Sequence, residues 1–108
     1  MLYLVSASGG PTFHTKEEVL DILENTILPG FNALKALEAD GKILAGGLPV
    51  GERAFLFIID AANNKALDDL LRELPLWPVL EWEVTPLQSF AARASHERKT
   101  VVALKAGK

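Results

Sequence analysis

Short apolar runs alternate with helical stripes along this chain. Residues 2–7, Leu-Tyr-Leu-Val-Ser-Ala, make an apolar run of strand length. The turn cluster Ser8-Gly9-Gly10-Pro11 closes it. Thr15 followed by Glu18 is a capping box, in which each side chain satisfies a backbone donor that the helix start leaves unpaired. Val19, Leu20, Leu23, Ile27, Phe31, Leu34 and Leu37 then recur at helical spacing. Pro29-Gly30 interrupts this stripe. The proline cannot donate to the carbonyl of Asn25, so a kink or break is expected. Gly41 stands where a helix end favours a left-handed residue.

Residues 42–50 and 53–61 flank Gly51-Glu52 and read as a hairpin with a very short connection. Residues 54–59, Ala-Phe-Leu-Phe-Ile-Ile, are apolar on both faces, as in a central strand. Gly46, Gly47 and Pro49 weaken the strand before it and predict a bulge or an edge. Asn63 or Asn64 can cap the next helix. Leu67, Leu70, Leu71 and Leu74 form its buried stripe, Asp68 can pair with Arg72, and Pro75 ends it. Residues 79–85 give a fourth strand.

The order is β-α-β-β-α-β, which predicts an α+β, ferredoxin-like antiparallel sheet with both helices on one face. Its other face keeps apolar side chains, from Phe55, Phe57 and Ile59 or from their neighbours. A second sheet packed face to face would cover them. Residues 1–87 are expected to form this domain and residues 88–108 a C-terminal arm. In the arm, Phe90 to Arg93 reads as a short helical turn and residues 100–104 as a strand or docking segment that packs on a partner subunit.

Composition narrows the function classes. The chain has 108 residues, 49% of them hydrophobic, which suits one domain that buries a face against another copy. A net charge of −3 without a basic cluster argues against a nucleic-acid surface. The absence of cysteine excludes disulfides and thiolate chemistry. The N-terminal apolar run is too short for a signal core or a membrane span, so a cytoplasmic protein is expected.

Candidate chemistry is sparse. His14, after the Gly-rich turn, is a candidate general base, against the commoner reading of an exposed loop histidine. His96 in the arm has a weaker claim. Residues 6–11 can cradle an anion on backbone N–H groups, but lack the Lys-Ser/Thr of a phosphate-binding loop, and turn chemistry accounts for them. Glu81 and Glu83 share one strand face, roughly 6.6 Å apart by strand rise, and could split acid and base roles or serve as an ion-paired face. Trp77 and Trp82 line a pocket or pack a core and interface, with little to choose between the two. No residues have metal-ligand spacing and no Ser-His-Asp set can be placed.

Leu74-Pro75-Leu76-Trp77-Pro78, followed by Glu81-Trp82-Glu83-Val84, resembles the muconolactone isomerase family. That family has a Leu-Pro-Leu-aromatic-Pro turn leading into a strand that ends in an acidic-Val pair. The interval from Gly41 to Asp60, with its turn at Gly51, matches too, so the likeness runs from Leu34 to Leu87. The resemblance implies a dimeric α/β barrel, often assembled further, with a pocket beside the sheet that can receive a neighbour's C-terminal residues. It also implies a lactone isomerase that moves a proton without a cofactor. Two positions depart from the pattern. The family's first-helix carboxylate falls near Gly30, and its His-Tyr pair at the hairpin falls on Glu52 and Arg53.

The expected function is therefore proton transfer on a small lactone or enol acid. The base would be His14, Glu81 or Glu83, with Arg53 holding an anionic group beside Trp77 and Trp82, no metal and no cofactor. The alternatives are a non-catalytic ligand-binding or assembly module, and a cofactor-free or haem-dependent monooxygenase of the same barrel type. The partners expected are a second copy of the chain and a small molecule, with neither nucleic acid nor membrane.

Overall fold

The strands β1 (Leu2–Ser8), β2 (Ile43–Gly47), β3 (Ala54–Asp60) and β4 (Glu81–Leu87) form one antiparallel sheet in the order β2-β3-β1-β4. This is the arrangement in a computed structural model, which describes residues 1–10, 12 and 15–107. The sheet is built on alternation in β1. Tyr3, Val5 and Ala7 pair with Ile59, Phe57 and Phe55 of β3, and all six are buried on one face. Ser6 and Leu4 point the other way, level with Leu56 and Ile58. The two candidate sets for the open face are thus resolved. Phe55, Phe57 and Ile59 belong to the core, and Leu56, which is 42% exposed, belongs to the uncovered face with Leu4 and Ile58.

The helices cover the buried face. The first helical segment is α1 (Lys16–Ile22), capped by the Thr15 hydroxyl, which accepts from the Glu18 N–H at 3.1 Å. A π turn (Leu23–Ile27) joins it to α2 (Leu28–Ala39) without a break. The proline was expected to kink or break the helix; the wide turn takes it up instead. The Leu28 N–H donates to the Leu23 carbonyl five residues back, and Pro29 sits in the first turn of α2. At the far end the Gly41 N–H bonds to the Glu38 carbonyl and the Lys42 N–H to the Leu37 carbonyl, with Gly41 at φ 80°. That is the left-handed helix end expected there. Helix α3 (Asn64–Arg72) starts at Asn63, whose side chain accepts from the Ala66 N–H at 2.9 Å. It buries Leu67 and Leu71 against the sheet, while Arg72 pairs with Asp68 at 2.9 Å on its exposed side.

Three sequence expectations shift. The β2–β3 connection spans residues 48–53 and is longer than a tight hairpin, because Gly47 ends β2 early. The edge position and a register irregularity between Ile43 and Ala45 do occur. The fourth strand starts at Glu81, two residues late, because Trp77–Val79 form a 3-10 turn after the rigid Pro75 entry. The tail is neither a short turn nor a strand. It is one 18-residue helix, α4 (Phe90–Gly107), capped by the Ser89 hydroxyl on the Ala92 N–H. Its alanines and the Arg93–Glu97 pair at 2.9 Å favour helix over the β-branched triplet Thr100-Val101-Val102. None of its described residues is buried, and the molecule extends 69 Å along its long axis.

Candidate active site

An apolar pocket of about 330 Å³ opens where the ends of β1 and β3 meet the first helix. Ile22, Leu23 and Ile27 of α1 and the π turn form one wall, with Phe31 from α2. Ala7, Ala54 and Phe55 form the floor at the sheet end. Leu76, Val79 and Leu80, from the turn before β4, close the side. The π turn matters here. It widens the helix where Leu23 and Ile27 face the cavity, and such turns commonly stand at functional sites.

Two short segments bring polarity to this apolar space. After β1, Gly9 and Gly10 adopt φ of 86° and 122°, a backbone open to glycine alone at little strain. The Gly9 N–H donates to the Arg53 carbonyl at 3.2 Å, which ties the β1 end to the β2–β3 loop. In that loop, Gly51 at φ 81° and the Glu52 N–H to Pro49 carbonyl bond make the turn that sets Glu52 and Arg53 at the pocket. They are the only charged side chains among the described lining residues. Both are exposed at the pocket mouth, where Arg53 can offer a charge-assisted bond to an anionic group.

Behind the floor lies an aromatic stack. Phe55 meets Phe31 edge to face at 6.0 Å and Trp82 at 5.6 Å. Trp82 lies 5.4 Å from Trp77 and donates its Nε1–H to the Trp77 carbonyl at 3.1 Å. The Arg72 guanidinium sits over Trp77 at 5.2 Å. Trp82 therefore supports Phe55 and Trp77 in turn packs on Trp82, and neither tryptophan is among the described pocket-lining residues.

The remaining sequence candidates are spread out. Arg53 is at the pocket. Glu81 and Glu83 pair with Ser8 and Ser6 of β1 and so stand on the open face of the sheet, away from the helices. His14 lies outside the described residues. His96 is exposed on α4. The pocket carboxylate, Glu52, entered the sequence reading only as a departure from the family pattern. Its one signal was its place between Gly51 and Arg53 in the turn.

Position 30 has a structural explanation. Gly30 is the one buried residue of α2, and a Cβ there would overlap the Leu76 side chain. Leu76 fills the space that a larger side chain at this point of the helix would need.

A family model of muconolactone delta-isomerase matches residues 1–93. The chain belongs to the muconolactone delta-isomerase family. The match extends the likeness seen from Leu34 to Leu87 through β1 and the first helix. Among solved structures, a muconolactone isomerase crystal structure superposes with a TM-score of 0.67 at 22% identity, covering 82% of this chain and 90% of that one. The 5-chloro-2-hydroxyhydroquinone dehydrochlorinase of Burkholderia phenoliruptrix AC1100, in complex with 2,5-dihydroxybenzoquinone, superposes with a TM-score of 0.60 at 15% identity, covering 85% and 98%. At these identities both show a shared fold. No curated protein matches the chain at a significant level. Among the described residues no helix is long and apolar enough to cross a membrane.

Proposed function

We propose that this member of the muconolactone delta-isomerase family transfers a proton on a small lactone or enol acid without a cofactor, in the pocket between the first helix and the sheet end. The observation that carries the reading is that Glu52 and Arg53 both stand on the rim of an otherwise apolar cavity. Arg53 holds the carboxylate of the ligand, and the ring lies against Phe31 and Phe55. A base removes the proton from the saturated ring carbon γ to the lactone carbonyl, which the conjugated double bond acidifies. The electron pair shifts toward the carbonyl, the double bond moves one place and a proton returns at the carbon next to the carbonyl, so no redox partner is needed. Glu52, at the pocket rim, is our first candidate for this base, and His14 is the second. Glu81 and Glu83 join the site only through a sheet packed on the open face. The quinone bound by the dehydrochlorinase supports a planar, oxygenated ring as the ligand type.

A non-catalytic binding role is the second reading. It is favoured by Gly30, where close packing against Leu76 leaves α2 without a base at the pocket. Isomerisation of muconolactone by the purified protein separates the two. Turnover, with KM raised on the order of tenfold or more in Arg53→Ala through loss of a charge-assisted bond, supports the enzyme. Tight binding of muconolactone with no turnover supports the binding module.

A further inference from the structure

Polarity is confined to one place in the pocket beside the first helix. Apart from Glu52 and Arg53, every described residue that lines it is Ala, Gly, Val, Ile, Leu or Phe. None of those side chains can make a hydrogen bond. The two charged side chains are exposed at the mouth, so the interior beyond them is hydrocarbon. The volume of about 330 Å³ falls within the roughly 300–1,000 Å³ of pockets that enclose drug-sized ligands.

Muconolactone is a small ring whose single arm ends in its carboxylate. With that carboxylate at Arg53 and the ring against Phe31 and Phe55, none of the molecule reaches the aliphatic part formed by Ile22, Leu23, Ile27, Leu76, Val79 and Leu80. Turned the other way, its lactone oxygens would enter a space with no side-chain donor, where a buried acceptor loses its bonds to water without replacement. We infer that the preferred substrate is a larger lactone acid, with an alkyl substituent on the ring that fills the aliphatic part while the carboxylate stays at Arg53. This specificity rests on the lactone reading proposed above.

The aliphatic part is set by local structure. Leu23 and Ile27 both belong to the π turn, which widens the helix at the cavity. Leu23 is 41% exposed, apolar surface that a hydrocarbon group would take out of water. Leu76 is fixed by its close packing on Gly30, and the 3-10 turn Trp77–Val79 brings Val79 and Leu80 to the same wall. A smaller cavity of about 220 Å³ between α2 and β2 shares Phe31, Leu48 and Phe55 with the first. Lys35 and Glu38 line it too, which makes it the poorer place for a hydrocarbon group. The substituent therefore points toward Leu23 and Leu80.

Calorimetric titration with butanoate, hexanoate and octanoate reads the aliphatic part apart from any catalysis. Affinity is expected to rise about fourfold with each added methylene. Arg53→Gln should weaken all three by a similar factor and keep the rise, because it removes only the anchor for the carboxylate. Leu23→Gln and Leu80→Gln should each cut the preference for octanoate over butanoate at least fivefold, with circular dichroism showing that the helices are kept. In turnover, muconolactone carrying a butyl group on a double-bond carbon should show a kcat/KM at least tenfold above that of muconolactone. Equal affinity along the acid series overturns the inference, as does a preference that neither glutamine variant changes. Muconolactone turned over as fast as its butyl derivative, or faster, overturns it too and leaves the isomerase reading standing. An octanoate preference that both glutamine variants reduce, with neither lactone turned over, upholds the ligand class and removes the isomerase reading instead.

Discussion

Gly30 shows how one residue ties the fold to the site. A methyl group added there meets Leu76, a pocket-lining side chain held between α2 and α3. Gly30→Ala should destabilise the protein by about 1–3 kcal/mol, the usual range for overpacking. Thermal unfolding checks it, and Leu76→Ala in the same chain should recover part of the loss by vacating the space. Glu52 and Arg53 act at the same scale. Arg53→Lys should retain part of the ligand affinity that Arg53→Ala loses, because a lysine keeps the charge but not the planar fork. Titration of intrinsic tryptophan fluorescence reads this, since Trp82 packs on Phe55 at the pocket floor.

Among the elements, helix starts are the best-defined units. Replacing Asn63 with Ala removes the acceptor for the Ala66 N–H and should cost about 1 kcal/mol in chemical denaturation. Both this cap and Thr15 were readable from the sequence, because capping is a matter between near neighbours. So were Gly41 and the Asp68–Arg72 pair. Features set by distant contacts were not. Pro29 looked like a helix breaker, yet the π turn ahead of it keeps the helix continuous. Residues 79–85 looked like a strand from their apolar content, but the turn Trp77–Val79 delays β4 to Glu81. The candidate site was legible only in part. Its lining comes from segments spread between Ala7 and Leu80, and no local period connects them. Arg53 could be picked out by its charge in a hairpin, while Leu76 and Val79 carry no mark beyond being apolar.

For the whole molecule the open sheet face dominates. Leu4, Leu56 and Ile58 form an apolar centre, with Glu81 and Glu83 along the β4 edge. Burying it against a second sheet is the arrangement we propose for the dimer, and Leu56→Glu should convert the dimer to monomer in sedimentation velocity.

Proton transfer in the pocket beside Glu52 and Arg53 is open to one direct measurement. Incubating muconolactone with the purified protein in deuterium oxide and following the ring protons by NMR tests it directly. The native chain should remove the proton from the saturated ring carbon and place deuterium at the carbon next to the carbonyl, at a rate reduced by about a hundredfold or more in Glu52→Gln, as for loss of a general base. No exchange by the native protein, or an undiminished rate in Glu52→Gln, would contradict it.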